Sequence, residues 1–448
     1  MTLLLTTLLA GCSFNDITWL RIARNEVIPT VIDVSWTSQD PGPSWVAFGT
    51  SEDYTHITPV RDDGSDEHAF HLVGLPPDTD VHLKAFTELA DGTIASSWDR
   101  VITSGSLVPI LRPGEVTVHD PDAVRDGVML ISQVGEEMGS LQIIDRSGNV
   151  LWFLPTGQGY SAPGFAPYGD GGSYAFNRLN QDHSIDDGEI YVVDLGGVIA
   201  QQEAVSGIHH TFGVHPDEGI ASFSTEIRDV PTYGNVAGDR LIALDADGEQ
   251  AVLFDAWSEL VVEQGDEWNS GFFPGAYDWT HMNGATWHPD RNSWVVSLNG
   301  PEDVIEVDGD SGEVLDLFSL DDARYEPPTA AITDPHGPDW TLDGDLLLFG
   351  GNDVESWCSA YDVSEDGVLE ETWTHGRGEG LWGLALGEAR QLTDGNVLCN
   401  FGTAGVVREI TPEGQVAWEY VAPVGISLGQ TRWIPDPYTG MWLDGLRR

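Results

Sequence analysis

Residues 143–153 read IIDRSGNVLWF, and this stretch decides the fold. Two short apolar runs flank a polar turn from Asp145 to Gly148, which is the pattern of a tight β-hairpin. The same pattern returns five times, as VVDLGGVIA, ALDADGEQAVLF, EVDGDSGEVLDLF, YDVSEDGVLEETW and EITPEGQVAWEY. A hairpin that recurs in this way indicates a chain built from repeated β-units.

The spacing of the hairpins sets the size of the repeated unit. Successive turns are 49, 51, 63, 54 and 49 residues apart, which is the length of a four-stranded propeller blade. Helical periodicity is almost absent, so an alternation of strands and helices is excluded. We therefore predict an all-β chain with a six-bladed β-propeller over residues 125–435. The residues that mark the six turns are Asp145, Asp194, Asp245, Asp308, Asp362 and Thr411.

A second β-unit precedes the repeats. Residues 27–105 contain short β-type runs broken by turns, and we predict a small β-sandwich there. The segment LVGLPPDT, followed by the alternating residues Val81, Leu83 and Ala85, resembles the late strands of a fibronectin type III domain. The N-terminal domain is therefore predicted to be fibronectin III-like.

The two ends of the chain carry separate predictions. Residues 1–12, MTLLLTTLLAGC, form an apolar run with the ending of a bacterial lipoprotein signal, in which Cys12 is lipidated. This pattern predicts an exported periplasmic, outer-membrane or cell-surface lipoprotein; the alternative is a buried first strand. At the other end, we predict that the chain from Gln430 onward closes or covers the ring, with residues 436–448 as a C-terminal tail.

Two cysteines remain after the signal, Cys358 and Cys399. Their spacing is not that of a metal motif. They either form one disulfide in an oxidising compartment or lie as two small buried apolar residues, and the sequence leaves both alternatives open.

The charge of the chain excludes several partners. Seventy-three acidic residues against 19 basic ones give a formal net charge of −54, and Lys84 is the only lysine. Such a surface repels nucleic acid and anionic membranes, so we expect neither as a partner and expect membrane attachment only through a lipid. An anionic substrate needs a locally positive pocket, built from the scarce arginines and histidines.

Three histidines recur at one place in the predicted blades. His210 and His336 each stand seven residues before a turn aspartate, and His281 stands nine before one. Because residues just before the first turn of a blade lie at its innermost strand, we predict that these side chains meet at one mouth of the funnel. The histidines outside this register are expected on turns or at the surface: His215, His288 and His375.

Two kinds of chemistry use three convergent imidazoles. One is a zinc site with three histidine ligands, for which Asp278 and Asp334 could orient the rings. The other is an anion site in which one neutral imidazole attacks while amide and imidazolium donors hold oxygens. Asn283, two residues after His281 on the same strand, offers such an amide and favours the anion site, so we expect no metal.

Three stretches carry a resemblance to a known family. They are GIHHTFGVHPDEGIASFS, DWTHMNGATWHPDRNSWVVSL and DPHGPDWTLDGDLLLFGGND. They are similar to the His-His stretch, the His-x-Asn motif and the nucleophile segment of bacterial arylsulfate sulfotransferase, the PAPS-independent type. The resemblance covers about residues 27 to 435 and implies a β-sandwich followed by a six-bladed propeller.

The resemblance also implies a reaction and its residues. His336 would take a sulfuryl group from an aryl sulfate as a sulfohistidine, and a phenol would then accept it in a ping-pong cycle. His281 and Asn283 would hold the sulfuryl oxygens, and His210 or His209 would add a donor. The partners would be small molecules, an aryl sulfate donor and a phenolic acceptor, with neither PAPS nor a metal as cofactor.

One position departs from the family pattern. The family usually has an arginine where this chain has Asn299. We still predict that Asn299 belongs to the substrate-binding site. Loss of that cation removes transition-state stabilisation unless another arginine replaces it. The candidates for replacement are Arg228, Arg377 and Arg432.

Two other function classes stay open, because propellers host many functions. One is a non-catalytic, surface-exposed binding propeller, and the other is a metal-dependent hydrolase or lyase with a three-histidine site. For an aryl substrate, Trp279 or Trp382 is predicted to line the pocket.

Overall fold

The structure, a computed structural model, describes residues 17–135, 138–169, 171–180, 188–215, 219–245 and 247–438. The prediction of an all-β chain is confirmed, since 36 strands account for nearly all the regular structure in these ranges. Helical segments within them are short: an α-helix at Ala256–Glu259 and 3-10 turns at Asp266–Asn269, Pro328–Ala330 and Gly402–Ala404. Cys12 and the lipidation predicted for it lie outside the described residues.

The first eight strands form two sheets packed on one core. The strands are β1 (Ile17–Arg24), β2 (Ile32–Ser38), β3 (Ser44–Gly49), β4 (His56–Ile57), β5 (Glu67–Leu72), β6 (Asp80–Glu88), β7 (Ile94–Ser96) and β8 (Arg100–Thr103). One sheet has the order β1-β2-β5; in the other, β4-β3-β6, both β7 and β8 pair with β6. Alternate residues of each sheet point into the shared core, among them Val34, Trp36, Phe48 and Val81. Since β1 starts at Ile17, this unit begins before the predicted boundary at residue 27.

The remaining strands belong to the repeats. They are β9 (Glu115–His119), β10 (Val128–Gly135), β11 (Ser140–Asp145), β12 (Val150–Pro155), β13 (Tyr160–Ser161), β14 (Phe165–Tyr168), β15 (Ser173–Asn180), β16 (Glu189–Asp194), β17 (Ile199–Ala204), β18 (Phe212–His215), β19 (Gly219–Val230), β20 (Gly234–Leu244), β21 (Gln250–Asp255), β22 (Tyr277–Asp278), β23 (Met282–His288), β24 (Ser293–Leu298), β25 (Asp303–Asp308), β26 (Val314–Ser319), β27 (Arg324–Glu326), β28 (Thr333–Trp340), β29 (Leu346–Gly351), β30 (Ser356–Val363), β31 (Val368–His375), β32 (Glu388–Gln391), β33 (Val397–Asn400), β34 (Val406–Ile410), β35 (Val416–Val421) and β36 (Ile426–Ile434).

These strands make six sheets of at least four strands each, antiparallel except where β22 pairs with β20 and β27 with β31. The orders are β36-β10-β11-β12, β14-β15-β16-β17, β18-β19-β20-β21, β23-β24-β25-β26, β28-β29-β30-β31 and β32-β33-β34-β35. Each repeated hairpin of the sequence forms the last two strands of one sheet. β9 adds an outer strand to the sixth sheet, so the repeat unit starts at Glu115, ahead of the predicted residue 125.

The first strands of the six sheets, here called the inner strands, contact one another in a closed cycle. Gln430 of β36 accepts a hydrogen bond from Phe165 N and donates one to Phe212 O, which joins β36 to β14 and β18. Thr211 next to β18 donates to Asn283 O, and Glu388 of β32 accepts from Thr431 N.

The cycle is completed between β23, β28 and β32. A Cβ on Gly284 would lie 2.6 Å from the backbone nitrogen of Gly337, so only glycine allows this approach. Gly337 in turn lies against Glu388. We infer that the six sheets are the blades of one propeller, closed by pairing β36 with β10.

Two contacts fix the late part of the chain. Cys358 of β30 and Cys399 of β33 form a disulfide between the fifth and sixth sheets, with 6.1 Å between their Cα atoms. Of the two alternatives for these cysteines, the structure has the bonded one. Tyr438 reaches the first unit, where its hydroxyl donates to His71 O and accepts from Val73 N. No helix in the described ranges is long and apolar enough to cross a membrane.

Candidate active site

The predicted histidines lie together at the starts of neighbouring inner strands. His210 precedes β18, His281 precedes β23, and His336 belongs to β28. The ring centroids of His210 and His281 are 4.7 Å apart, and those of His210 and His336 are 6.3 Å apart. His209 joins them, with its centroid 5.8 Å from that of His281. All four side chains are buried.

The backbone explains why these side chains converge. His210, His281 and Asp334 all adopt left-handed φ angles, of 58°, 44° and 51°, at the turn into their inner strands. The register predicted one shared position for the three histidines. His336 therefore departs from this prediction. It lies two residues beyond the left-handed residue, the position that Asn283 has in the neighbouring blade, and side chains two residues apart share one side of a strand.

The tautomer of His336 follows from one hydrogen bond. Its Nδ1 lies 2.9 Å from the carbonyl oxygen of Asp334, which can only accept, so Nδ1 carries the proton. Nε2 then keeps a lone pair. Burial, with a smaller contribution from nearby His281, lowers the pKa of His336 to about 4, against the opposite effect of the Asp334 carbonyl. The imidazole is therefore neutral near pH 7.

His281 is held by a carboxylate. Its Nδ1 lies 2.6 Å from Oδ2 of Asp278, which also accepts a hydrogen bond from Ser270. A histidine whose Nδ1–H donates to a carboxylate is oriented by it and is stabilised when protonated. Asp278, which the sequence offered as an orienting group for a metal ligand, thus orients a potential proton donor.

His209 and His210 form a chain with a second carboxylate. His209 Nε2 lies 3.1 Å from Oδ1 of Asp239, and the two Nδ1 atoms of His209 and His210 are 2.7 Å apart. Protonation of His209 lets its Nδ1 donate to His210, and His210 then presents Nε2–H as a donor. When His209 is neutral and donates from Nε2 to Asp239, its Nδ1 accepts from His210 instead, and Nε2 of His210 becomes an acceptor. The pair can therefore pass a proton.

An amide donor completes the group. Asn283 is buried, its Oδ1 accepts a hydrogen bond of 2.5 Å from Ser297, and its Nδ2 has no partner among the described residues. A buried amide of this kind is a site for an acceptor from outside the chain. Asn283 lines a small cavity together with Gly337, the residue after His336. Asn299 contacts His281 through its backbone N–H, which donates to His281 O at 3.1 Å.

The arginines considered as replacements for the missing cation lie elsewhere. Arg432 pairs with Glu388 at 2.7 Å near the far end of its inner strand, while Arg377 pairs with Glu371 and Arg228 with Glu226. Each is held by a carboxylate of its own region. Arg432 lines a different cavity from Asn283, so its assignment to the histidine site is wrong. Arg390, which the sequence analysis did not single out, lines the Asn283 cavity beside the histidines.

Two phenylalanines lie where the tryptophans were predicted. The ring of half-buried Phe272 is 5.3 Å from that of His210 and 5.2 Å from that of His281, and Phe273 is 5.6 Å from His209. Trp279 instead packs in the core against Trp257, and Trp382 is 48% exposed. The phenylalanines belong to the segment that makes the third step 63 residues long, and this extra length was the available signal.

The three histidines outside the register are buried, not at turns or the surface. His215 packs against Trp287 with 4.2 Å between ring centroids, His375 lies 3.1 Å from Arg408, and His288 is also buried. They fill spaces between blades.

The group of side chains that could bind a metal ion lies in another part of the molecule. Within the described ranges, the His, Cys, Asp and Glu side chains whose donor atoms lie close enough to share an ion are Glu52, His82 and Asp99. They belong to the first unit and are half-buried or exposed. The histidine cluster is thus arranged around hydrogen bonds to carboxylates and a carbonyl.

The network around Asp239 yields a stability prediction. Burial raises the pKa of Asp239, but His209, Thr225 and the backbone of Met282 outweigh burial and lower it to about 2. The lowered pKa stabilises the fold above the ordinary value of 3.8, and the gain is lost as pH falls through about 2. Asp239→Asn should lower the free energy of unfolding at pH 7 by about 2–4 kcal/mol, because the NH2 group of the new asparagine would face groups that are themselves hydrogen-bond donors. Urea unfolding of this variant checks the prediction.

The exposed aspartate Asp362 offers the control. Asp362→Asn should change the unfolding free energy by less than about 0.5 kcal/mol. Equal effects of the two changes would contradict the role given to Asp239.

Comparison with known proteins gives a family for part of the chain. Residues 114–322 match the sequence model described as arylsulfotransferase (ASST). This range contains His210, His281 and Asn283 and ends before His336. No curated protein matches the sequence.

Solved structures resemble the chain only distantly. They include a protein of unknown function from Bacteroides caccae, with 14% identity, 69% of this chain and 99% of that chain covered, and a TM-score of 0.43. A streptogramin B lyase has 13% identity, 73% and 96% coverage and a TM-score of 0.41. Virginiamycin B lyase from Staphylococcus aureus has 11% identity, 88% and 99% coverage and a TM-score of 0.35. The match over residues 114–322, just under half of the chain, shows that this part is similar to the arylsulfotransferase (ASST) family.

Proposed function

We propose that this chain transfers a sulfuryl group from an aryl sulfate to a phenol, with His336 as the nucleophile. The observation that carries the proposal is the His336 ring, neutral and with Nδ1 bound to a carbonyl, beside three further imidazoles and the unpartnered amide of Asn283. The family of residues 114–322 supports the same class of reaction.

In the first half of the reaction, Nε2 of His336 attacks the sulfur atom of the aryl sulfate. The N–S bond forms as the bond from sulfur to the aryl oxygen breaks, and the bonding pair leaves with that oxygen. The oxygen takes a proton from His281 or His210, and a phenol is released. The Asp278 carboxylate stabilises His281 in the protonated form that supplies this proton.

The second half runs in the opposite direction. A phenolic acceptor gives its proton to the same histidine while its oxygen attacks sulfur, and the N–S bond returns its electron pair to Nε2. The products are a new aryl sulfate and neutral His336. No nucleotide donor and no metal takes part in this scheme, and transfer proceeds between two small molecules.

The site compensates for the charge of the protein. An aryl sulfate is an anion, and a chain with a formal charge of −54 repels it outside a positive pocket. Protonated histidines attract the sulfate group, and Nδ2 of Asn283 donates to a sulfuryl oxygen. Such donors act where charge develops in the transition state. The scheme thus replaces the family arginine at Asn299 by ionisable imidazoles.

Phe272 gives the site its preference for aryl groups. Its half-buried ring lies beside His210 and His281, so an aromatic donor can stack on it while its sulfate group reaches the histidines. Export and lipid attachment at Cys12 remain predictions, since that residue lies outside the described ranges.

The first functional prediction concerns His336. Incubation with an aryl sulfate and no acceptor should leave one sulfuryl group on His336, which a phenol then removes. His336→Asn should abolish labelling and lower transfer by roughly a thousandfold or more, because no nucleophile remains. Asn283→Ala should still become labelled at His336, about a hundredfold more slowly, after losing one oxyanion donor. Intact-mass measurement and peptide mapping read out both results.

His119, exposed on β9, is the control. His119→Asn should be labelled and discharged like the unchanged chain. Full transfer by His336→Asn, or a label that maps to another histidine, would contradict the proposal.

The second prediction concerns pH. Because the pKa of His336 is about 4, the attacking neutral form persists down to about pH 5 and is lost only as pH falls through about 4. The labelling rate with 4-nitrophenyl sulfate, whose leaving oxygen needs no added proton, should follow that profile. A fall centred near 6.5, the ordinary histidine value, would show that His336 is not neutralised by its surroundings.

The third prediction concerns Phe272. Phe272→Ala should raise KM for aryl sulfates about tenfold, because it removes stacking and apolar contact, while the tautomer of His336 is untouched. Trp382→Ala is the matched control and should leave KM unchanged. Steady-state kinetics with one donor and one phenol measure both; equal KM values for the two variants would contradict the placement of the aryl ring.

A further inference from the structure

A second cavity lies at the opposite ends of the inner strands. It has a volume of about 150 Å³, and all six inner strands contribute residues from their C-terminal halves, among them Pro167, Val214, Trp287, Gln391 and Arg432. The histidines lie at the N-terminal starts of the same strands. Along β23, Asn283 and Trp287 are four residues or about 13 Å apart, and Ala285 between them lines both this cavity and the one beside Asn283.

Two arginines, Arg432 and Arg390, line this cavity. Nη1 of Arg432 donates to Glu388 Oε2 and to Thr431 O, each at 2.7 Å. Nε and Nη2 make no hydrogen bond with a described residue, although the side chain is only 16% exposed. The edge of a guanidinium that carries Nε and one Nη matches both oxygens of a carboxylate.

Arg390 adds a second guanidinium. Its Nε donates to Glu388 at 3.2 Å and its Nη2 to Thr286 at 3.3 Å, while Nη1 has a longer contact of 3.8 Å with Asp339. Glu388 is thus shared between the two arginines and Asp339 also faces Arg390, so what remains open at the cavity wall is the Nε and Nη2 edge of Arg432. In a chain with 19 basic residues against 73 acidic ones, this open guanidinium edge is a local donor site for an anion.

The rest of the wall is largely apolar. Ala285, Val214, Leu392 and Leu398 line it, together with the ring of Trp287. A cavity of 150 Å³ with apolar walls is large enough to hold one benzene ring. The cavity therefore combines a cationic edge with space for a single aromatic ring.

We propose that this cavity is a second binding site, for a small aromatic carboxylate. Its carboxylate accepts from Nε and Nη2 of Arg432, and its ring lies against Ala285, Leu392 and Leu398. The site shares Ala285 and Arg390 with the small cavity beside Asn283, but it uses none of the histidines and does not depend on the sulfuryl-transfer proposal.

The test uses 4-fluorobenzoate as the probe with the full chain, followed by ¹⁹F NMR titration. We expect saturable binding in the unchanged protein at probe concentrations up to about 10 mM. Arg432→Gln should weaken binding about tenfold or more, since it removes a charge-assisted pair of hydrogen bonds. The uncharged 4-fluorobenzamide should bind at least about tenfold more weakly than the carboxylate.

Three further variants keep the test informative if Arg432→Gln does not fold. Gln391→Glu preserves shape, retains the oxygen that accepts from Leu342 N and adds a negative charge at the cavity, so it too should weaken binding about tenfold. Arg228→Gln, which changes an arginine paired with a carboxylate away from both sites, should bind the probe normally. Asn283→Ala should also bind it normally.

Three outcomes would overturn the proposal. One is the absence of binding to the unchanged chain in that range. Another is equal binding by the unchanged chain and by Gln391→Glu. The third is loss of binding in Asn283→Ala, which would place the anion at the histidines.

Discussion

The histidine site depends on the hydrogen bonds that the buried carboxylate of Asp239 accepts. Asp239 lies on β20 and accepts hydrogen bonds from His209 at 3.1 Å, Thr225 at 2.5 Å, Thr280 at 2.7 Å and the backbone of Met282 at 2.8 Å. Two of these donors belong to the third sheet and two to the start of the fourth. One charged group therefore fixes the turn that carries His281 relative to the pair His209 and His210. Because each donor satisfies the carboxylate, burial is tolerated, and the imidazoles are held in defined orientations.

The inner strands divide the molecule into two chemical environments. Their N-terminal starts use left-handed turns that bring the imidazoles together. Their C-terminal halves carry guanidiniums that remain charged, held by Glu388 and Asp339. Between them, glycines such as Gly284 and Gly337 let the strands approach closely. The clustered histidines and two of the arginines thus lie along the same set of strands in an acidic protein.

The sequence predicted those parts of the molecule that depend on local patterns. Six hairpins, an all-β chain and the convergence of His210, His281 and His336 follow from turn chemistry and spacing. The sequence could not place Asp239 or Phe272, because neither stands in a repeated position and both act through contacts with residues distant in the chain. It misplaced Arg432 because nearness to a blade end does not tell which end of the strand a side chain occupies. Burial of His215 and His375 was missed for a related reason, since packing between blades has no linear signature.

The most direct test of the central claim is a crystal structure of His336→Asn with an aryl sulfate bound. The account predicts that the sulfate group lies within hydrogen-bond distance of Asn283 Nδ2 and of His210 or His281, with the aryl ring against Phe272. A sulfate group held by Arg432 and Arg390 instead, or an aryl sulfate bound outside the inner strands, would contradict it.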